Sequence, residues 1–258
     1  MRILTLLAGS FLAASLVRAE QKALPEEFAV TESIVMQEAD ELQTSAFVRY
    51  ASLPDEKTLE WVGAFEYGVT DRLQLECEMP YIFRNPDDEH AVNGIGDMEV
   101  AARYAVRDFR TQPWALDVGL SLGLPTGDQN KELGEGRVSL EPMFTLSQWF
   151  GPVNAQFNGT WQYAVSSGGE EPKNEFTYNL ALVYPVQQFF LVVEGDGTST
   201  SRQTKYYVTP EIIWCPRRNI ELLFAVPCGV THASGDYGFI TAVTFEFGGV
   251  TGRGKDSD

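Results

Sequence analysis

Residues 71–83 read DRLQLECEMPYIF. From Leu73 onward Leu73, Leu75, Cys77, Met79, Tyr81 and Phe83 take every second position, while Gln74, Glu76 and Glu78 fill the gaps between them. A repeat of two is the signature of a β-strand with unlike faces. In a water-soluble sandwich the apolar face would turn inward and the glutamates would meet solvent. A membrane barrel inverts that order, with hydrocarbon outside and a wet, charged lumen inside. The rest of the chain decides between the two.

The same alternation recurs along the sequence, at about 43–52, 58–69, 72–83, 95–107, 113–125, 136–150, 152–165, 174–185, 188–197, 203–215, 219–230 and 237–247. These segments predict twelve strands, and no interval has the period of an amphipathic helix. Leu116, Val118, Leu120, Leu122 and Leu124 share one face of the fifth segment, opposite Asp117, Gly119, Ser121 and Gly123. Links after odd segments are longer and polar, as in RNPDDEHAVNG and PTGDQNKELGE, whereas links after even segments are tight, as in TD at 70–71 and the single Gly151. Short turns at one end and long loops at the other, on an even number of antiparallel strands, describe an up-and-down transmembrane β-barrel. Greek-key connections in a sandwich would mix the lengths.

Aromatic residues give an independent test. On an up-and-down path Trp61, Tyr81, Phe83, Trp161, Tyr163, Phe176, Tyr206 and Phe239 fall toward the long-loop end. Tyr67, Tyr104, Trp114, Phe150, Tyr184, Phe189, Trp214, Phe245 and Phe247 fall toward the short-turn end. Two aromatic girdles flanking an aliphatic band match a lipid-facing wall. The opposite face then lines the lumen, and it carries Glu76, Glu78, Asp97, Glu99, Arg103, Asp117, Glu141, Glu211 and Glu221 as candidate lumen-lining residues. Glu99 and Arg103, on one strand and one face, stand for charge clusters with two readings: an ion network that fills a narrow barrel, or the lining of a solute path.

The ends and totals fit this picture. Residues 1–19 have Arg2, an apolar run from Ile3 to Val17, and Val17 and Ala19 before Glu20, which predicts a signal peptide cleaved after Ala19. Residues 20–42 are acidic and weakly patterned and are expected to form an N-terminal arm outside the main fold. The barrel is expected over 43–248, with a tail at 249–258. Net charge is −17 and grows more negative once Arg2 and Arg18 leave with the leader, so nucleic acid is excluded as a partner. Apart from the leader, no apolar run is long enough for a membrane helix. Cys77, Cys215 and Cys228 sit within strand-like stretches and read as apolar fillers.

No cofactor or metal motif appears. GIG at 94–96 lacks the helix that a dinucleotide site needs and reads as a turn. The loop PDDEH at 86–90 reads as solvated, against a divalent-cation site. The two histidines, His90 and His232, lie in long loops. His232 with Ser234 raises a lipase-like site, but THASGD is more simply a polar loop.

The runs EYGVTDRLQLECEMPYIF, GIGDMEVAARYAV, GLSLGLPTGD, NEFTYNLALVYPV, RQTKYYVTPEIIW, PRRNIELLFAVPCGVT and DYGFITAVTFEF resemble the outer-membrane β-barrel family labelled "MetA-pathway of phenol degradation", over residues 43–248. That resemblance implies a bacterial cell outer-membrane location and a channel or passive transporter for small solutes, hydrophobic or aromatic compounds among them. Outer-membrane lipid and the barrel-assembly machinery are the implied partners. It carries over no binding residues. A surface barrel with a plugged lumen and no flux is the alternative, and a lipid hydrolase the third reading.

Overall fold

The computed structural model describes residues 24–87, 90–110, 112–165 and 174–248. The leader, two residues of the PDDEH loop and the tail at 249–258 lie outside them. Fourteen β-segments run in order: β1 (Leu42–Ser52), β2 (Glu56–Thr70), β3 (Leu73–Pro86), β4 (Val92–Ile95), β5 (Met98–Arg107), β6 (Trp114–Leu124), β7 (Ser139–Phe150), β8 (Val153–Ala164), β9 (Asn174–Val186), β10 (Phe189–Thr200), β11 (Thr204–Arg217), β12 (Ile220–Ala225), β13 (Cys228–Gly229) and β14 (Tyr237–Phe247). β4 with β5 forms one stave, because both pair with β3, and β12 with β13 forms another, because both pair with β11 and β14. The result is a closed twelve-strand antiparallel barrel, as the alternation predicted.

Closure comes from β1 and β14, which pair along their whole length from Leu42 opposite Phe247 to Ser52 opposite Tyr237. Among the described residues no sheet edge is left for another chain to extend, which is the condition a sheet must meet in hydrocarbon. One stave splits at Pro227, which has no N–H to give a ladder. The other splits at Gly96 and Asp97.

The apolar face of the wall points outward and the charged face inward. On β3 Leu75, Met79, Tyr81 and Phe83 are exposed on the outer surface, while Gln74 is buried and Glu76 and Glu78 face in. On β6 Val118, Leu120 and Leu122 are exposed, whereas Asp117 and Ser121 are buried. Outward glycines are covered by their neighbours' rings: a Cβ at Gly159 would strike the Phe144 ring, and one at Gly197 the Tyr178 ring. Such rings fill the gap that a strand glycine leaves. Cross-strand stacking of Phe189 on Trp214 at 6.2 Å, and of Tyr50 on Phe239 at 6.3 Å, builds the aromatic girdles.

The N-terminal arm departs from expectation. Residues 24–41 lie inside the barrel, not beside it, and Leu24, Phe28, Ile34 and Val35 are buried in one cluster with Phe47, Phe190, Val192, Ile213 and Leu223 of the wall. The physical reason lies in β10 to β12, where FFLVV, IIW and LLF are apolar on both faces near the short-turn end. Inward Phe190, Ile213 and Leu223 would otherwise face water, and the arm supplies the apolar surface that covers them.

Candidate functional site

An irregular segment buried in a barrel has no strand partners, so its backbone groups need others. The wall supplies them from side chains. Glu194 Oε2 accepts from the Thr31 amide at 2.6 Å and the Val30 amide at 3.3 Å, and Glu211 Oε2 accepts from Ala29 N at 3.4 Å. Glu221 Oε2 accepts from Glu26 N at 2.9 Å, Gln156 Oε1 from Ile34 N at 2.8 Å, and Gln74 Oε1 from Gln37 N at 2.6 Å. The arm is therefore seated by acceptors that reach in from β3, β8, β10, β11 and β12.

The partners trace its path. It leaves β1 at the short-turn end, rises to Val30–Glu32 at mid-barrel and turns back, because both Glu26 and Gln37 meet wall residues near the strand ends of the short-turn side. Ser33 Oγ donates to Pro25 O at 2.8 Å and ties the two limbs. At the base the arm lies on Gly68: Asp40 N donates to Gly68 O at 2.8 Å, Gly68 N donates to Glu41 O at 2.9 Å, and a Cβ at this glycine would overlap the Glu38 carbonyl oxygen. Only a residue without a side chain lets the two backbones approach this closely.

Arg103 anchors the middle of the arm. Its guanidinium meets Asp117 Oδ2 at 2.7 Å, Glu76 Oε1 at 3.3 Å, Glu32 Oε2 at 3.3 Å and the Ser33 carbonyl. Arg103 and Asp117 are almost wholly buried, so this is a desolvated pair whose Arg also binds the plug. Glu99 does not pair with Arg103; it accepts from Ser121 Oγ. Four residues along a strand span about 13 Å, too far for the two side chains to meet without bending along the wall.

A latch holds the outside of the base. Arg110, in the turn after β5, meets Glu38 Oε1 at 2.9 Å, the Asp71 carbonyl at 2.9 Å and Asp108 at 3.0 Å. Partial burial pushes the Asp108 carboxyl up, but hydrogen bonds from the Arg110 guanidinium and amide, with the charges of Arg110 and Arg72, outweigh it. Asp108 stays below its ordinary value.

Above the arm the lumen is open in part. A cavity of about 240 Å³ is floored by Val30 and walled by Arg49, Glu60, Asp196, Tyr207 and Ile240, and a second of about 210 Å³ is lined by Arg49, Glu32, Glu76, Glu78 and Glu99. On the other side of the mouth the link from β6 to β7 folds inward. Its Leu133 is buried against Gly94 of β4, and Arg84 of β3 pairs with its Glu132. Asp97, expected on the lumenal wall, holds this inward-folded link: Oδ1 accepts from Gly127 N at 2.8 Å and Oδ2 from Glu135 N at 2.6 Å.

Of the other candidates, Glu76, Arg103, Asp117, Glu211 and Glu221 converge on the arm, and Glu76, Glu78 and Glu99 share the acidic cavity. Glu141 accepts from Ser139 Oγ at 2.8 Å, nearer the mouth. The alternation puts Glu194, Gln74, Gln156 and Arg49 on the polar face of the wall, but nothing in it marks the first three as seats of the arm or Arg49 as the basic side chain common to both cavities. Ser234 is buried and bridges Thr231 and the backbone of Tyr206, while His232 is exposed.

None of the curated proteins matches the chain by sequence. Its fold is similar to that of the COG4313 outer membrane channel from Pseudomonas putida F1, with a TM-score of 0.66 at 14% identity, covering 88% of this chain and 100% of that one. It is also similar to the NanC porin, at a TM-score of 0.56, 13% identity and coverage of 79% and 98%, and to the KdgM porin, at 0.55, 10%, 79% and 99%. A family model described as "Putative MetA-pathway of phenol degradation" matches residues 33–247, and the chain belongs to that family.

Proposed function

We propose that the protein is a passive channel for small solutes in the bacterial outer membrane, closed at its short-turn end by its own N-terminal arm. One observation carries the reading. Above the two backbone bonds to Gly68 at its base, residues 24–39 are held by side chains and apolar contact, with no strand ladder to the wall among the described residues, so the arm can leave the lumen without opening the barrel. Family membership and the shared fold support a channel in place of an enzyme. Lipid on the aliphatic outer face, and the assembly machinery that inserts such barrels, are the partners this reading requires.

The second reading, a plugged barrel without flux, is favoured by the filled lower lumen, and one experiment separates the two. Planar-bilayer conductance and liposome swelling are measured for the mature chain and for a variant lacking residues 20–41. A channel closed by the arm gives small or intermittent currents with the arm and large steady ones without it. A barrel that stays silent in both forms refutes the channel. Equal steady conductance in both refutes the arm as its closure.

A further inference from the structure

The cavity above the arm holds charged groups that the seating of the arm does not use. Arg49 and Glu60 lie opposite each other across the β1–β2 pair, both facing in, and Asp196 reaches the same cavity from β10. Arg49 stacks on the Phe47 ring, 4.9 Å from its centroid. Among the described residues its buried Nε meets no acceptor and the buried Oδ2 of Asp196 meets no donor. A guanidinium surrounded by carboxylates would ordinarily be spent on one of them, as Arg103 is on Asp117. Here a rigid planar guanidinium, matched to a carboxylate, lines a space that also presents two acids.

We infer that this vestibule is a binding site for a small zwitterion, an amino-acid-like solute whose carboxylate docks on Arg49 and whose ammonium faces Asp196 and Glu60. The inference rests on the channel reading for its purpose, though not for its geometry. A plain anion would meet one guanidinium and two carboxylates, and a plain cation would meet the guanidinium's repulsion. A solute carrying both charges is matched at both ends. The rest of the lining favours an apolar body, since Val30, Tyr207 and Ile240 form the floor and sides. At about 240 Å³ the cavity is smaller than the roughly 300–1,000 Å³ of drug-sized sites, so one ring or one branched chain fits and an oligomer does not.

The site also has a position. Its floor is the apex of the arm, where Val30 and Thr31 donate to Glu194, two residues before Asp196 on the same face of β10. A solute held there rests on the part of the plug that must move for it to pass.

The test is calorimetric titration of the full mature chain in detergent with L-phenylalanine, glycine, benzoate and benzylamine at neutral pH. Phenylalanine should bind one to one and at least tenfold more tightly than glycine, which lacks the apolar body, and than either singly charged probe. Arg49→Gln should weaken phenylalanine at least tenfold, as should Asp196→Asn, and the latter should bring benzoate up toward phenylalanine. Each variant is first shown to keep its heat-modifiable gel mobility, and Arg49→Lys is the substitute should Arg49→Gln fail to fold. Benzoate or benzylamine binding as tightly as phenylalanine would overturn the proposal, as would no binding of phenylalanine or an affinity unmoved by Arg49→Gln. Because binding in detergent needs no flux, a silent barrel that binds phenylalanine loses the channel and keeps the site, and a conducting barrel that ignores it does the reverse.

Discussion

Glu194 is the seat whose removal should be felt most, since its one carboxylate oxygen serves the two amides at the apex of the arm. Glu194→Leu keeps the side chain's bulk and removes the acceptor. The Thr31 amide is buried, and leaving such a donor unpaired costs about 1–3 kcal/mol. The Val30 bond is longer and only part-buried, so water recovers most of it. A net loss of about 2 kcal/mol is then about a thirtyfold shift from seated to unseated arm, at about 1.4 kcal/mol per factor of ten. Single-channel recording should show that shift as a rise in open probability. Glu194→Gln retains an acceptor oxygen and should stay close to the native protein. Gly195→Ala, on the outer face where a Cβ meets nothing within 4 Å, controls for changes to the strand itself. A correctly inserted Glu194→Leu barrel with native open probability would refute the idea that wall acceptors hold the plug.

Three further outcomes follow from the same geometry. Gly68→Ala puts a Cβ onto the Glu38 carbonyl and should free the base of the arm, which limited proteolysis would show as faster cleavage between residues 24 and 41 while the barrel persists. Leu120→Arg, at the exposed middle of β6, should cost about 2–4 kcal/mol in a bilayer and reduce folding into liposomes. The Asp108 carboxyl is held below its ordinary value, so the latch is fully formed above the unfolded aspartate pKa of about 4 and is lost as pH falls through the lower folded value. Conductance should therefore be indifferent to this group between about pH 5 and 8 and rise in stronger acid, a rise that Asp108→Asn would remove.

The wall was legible in the sequence because lipid and lumen impose opposite demands on successive residues, and stretches such as LQLECEM and LDVGLSLGL record both. The strand boundaries drifted where the pattern is interrupted by backbone chemistry. Gly96 and Pro227 each split a stave. The arm was not legible, since LPEEFAVTESIVMQ has no strand or helix period and its bonds go to side chains scattered around the wall, from β1 to β12. The signal that could have revealed it was in the wall: FFLVV at 189–193 and LLF at 222–224 are apolar on both faces, and an inward phenylalanine or leucine needs apolar company.

The arm's composition gives its tethering another meaning. From Leu24 to Glu41 it carries Glu26, Glu27, Glu32, Glu38, Asp40 and Glu41 and no basic residue. It is a leashed polyanion, fixed to β1 at one end of the lumen, so an electric field along the barrel axis pulls on it in opposite senses for opposite polarities. Each elementary charge moved through the whole field is worth about 2.3 kcal/mol per 100 mV, and the apex crosses a fraction of it. On the proposed reading, potentials negative on the long-loop side should drive the arm out toward its anchor and the reverse polarity should press it home, so currents through the barrel should rectify in a direction set by the end of the lumen at which the arm is tied.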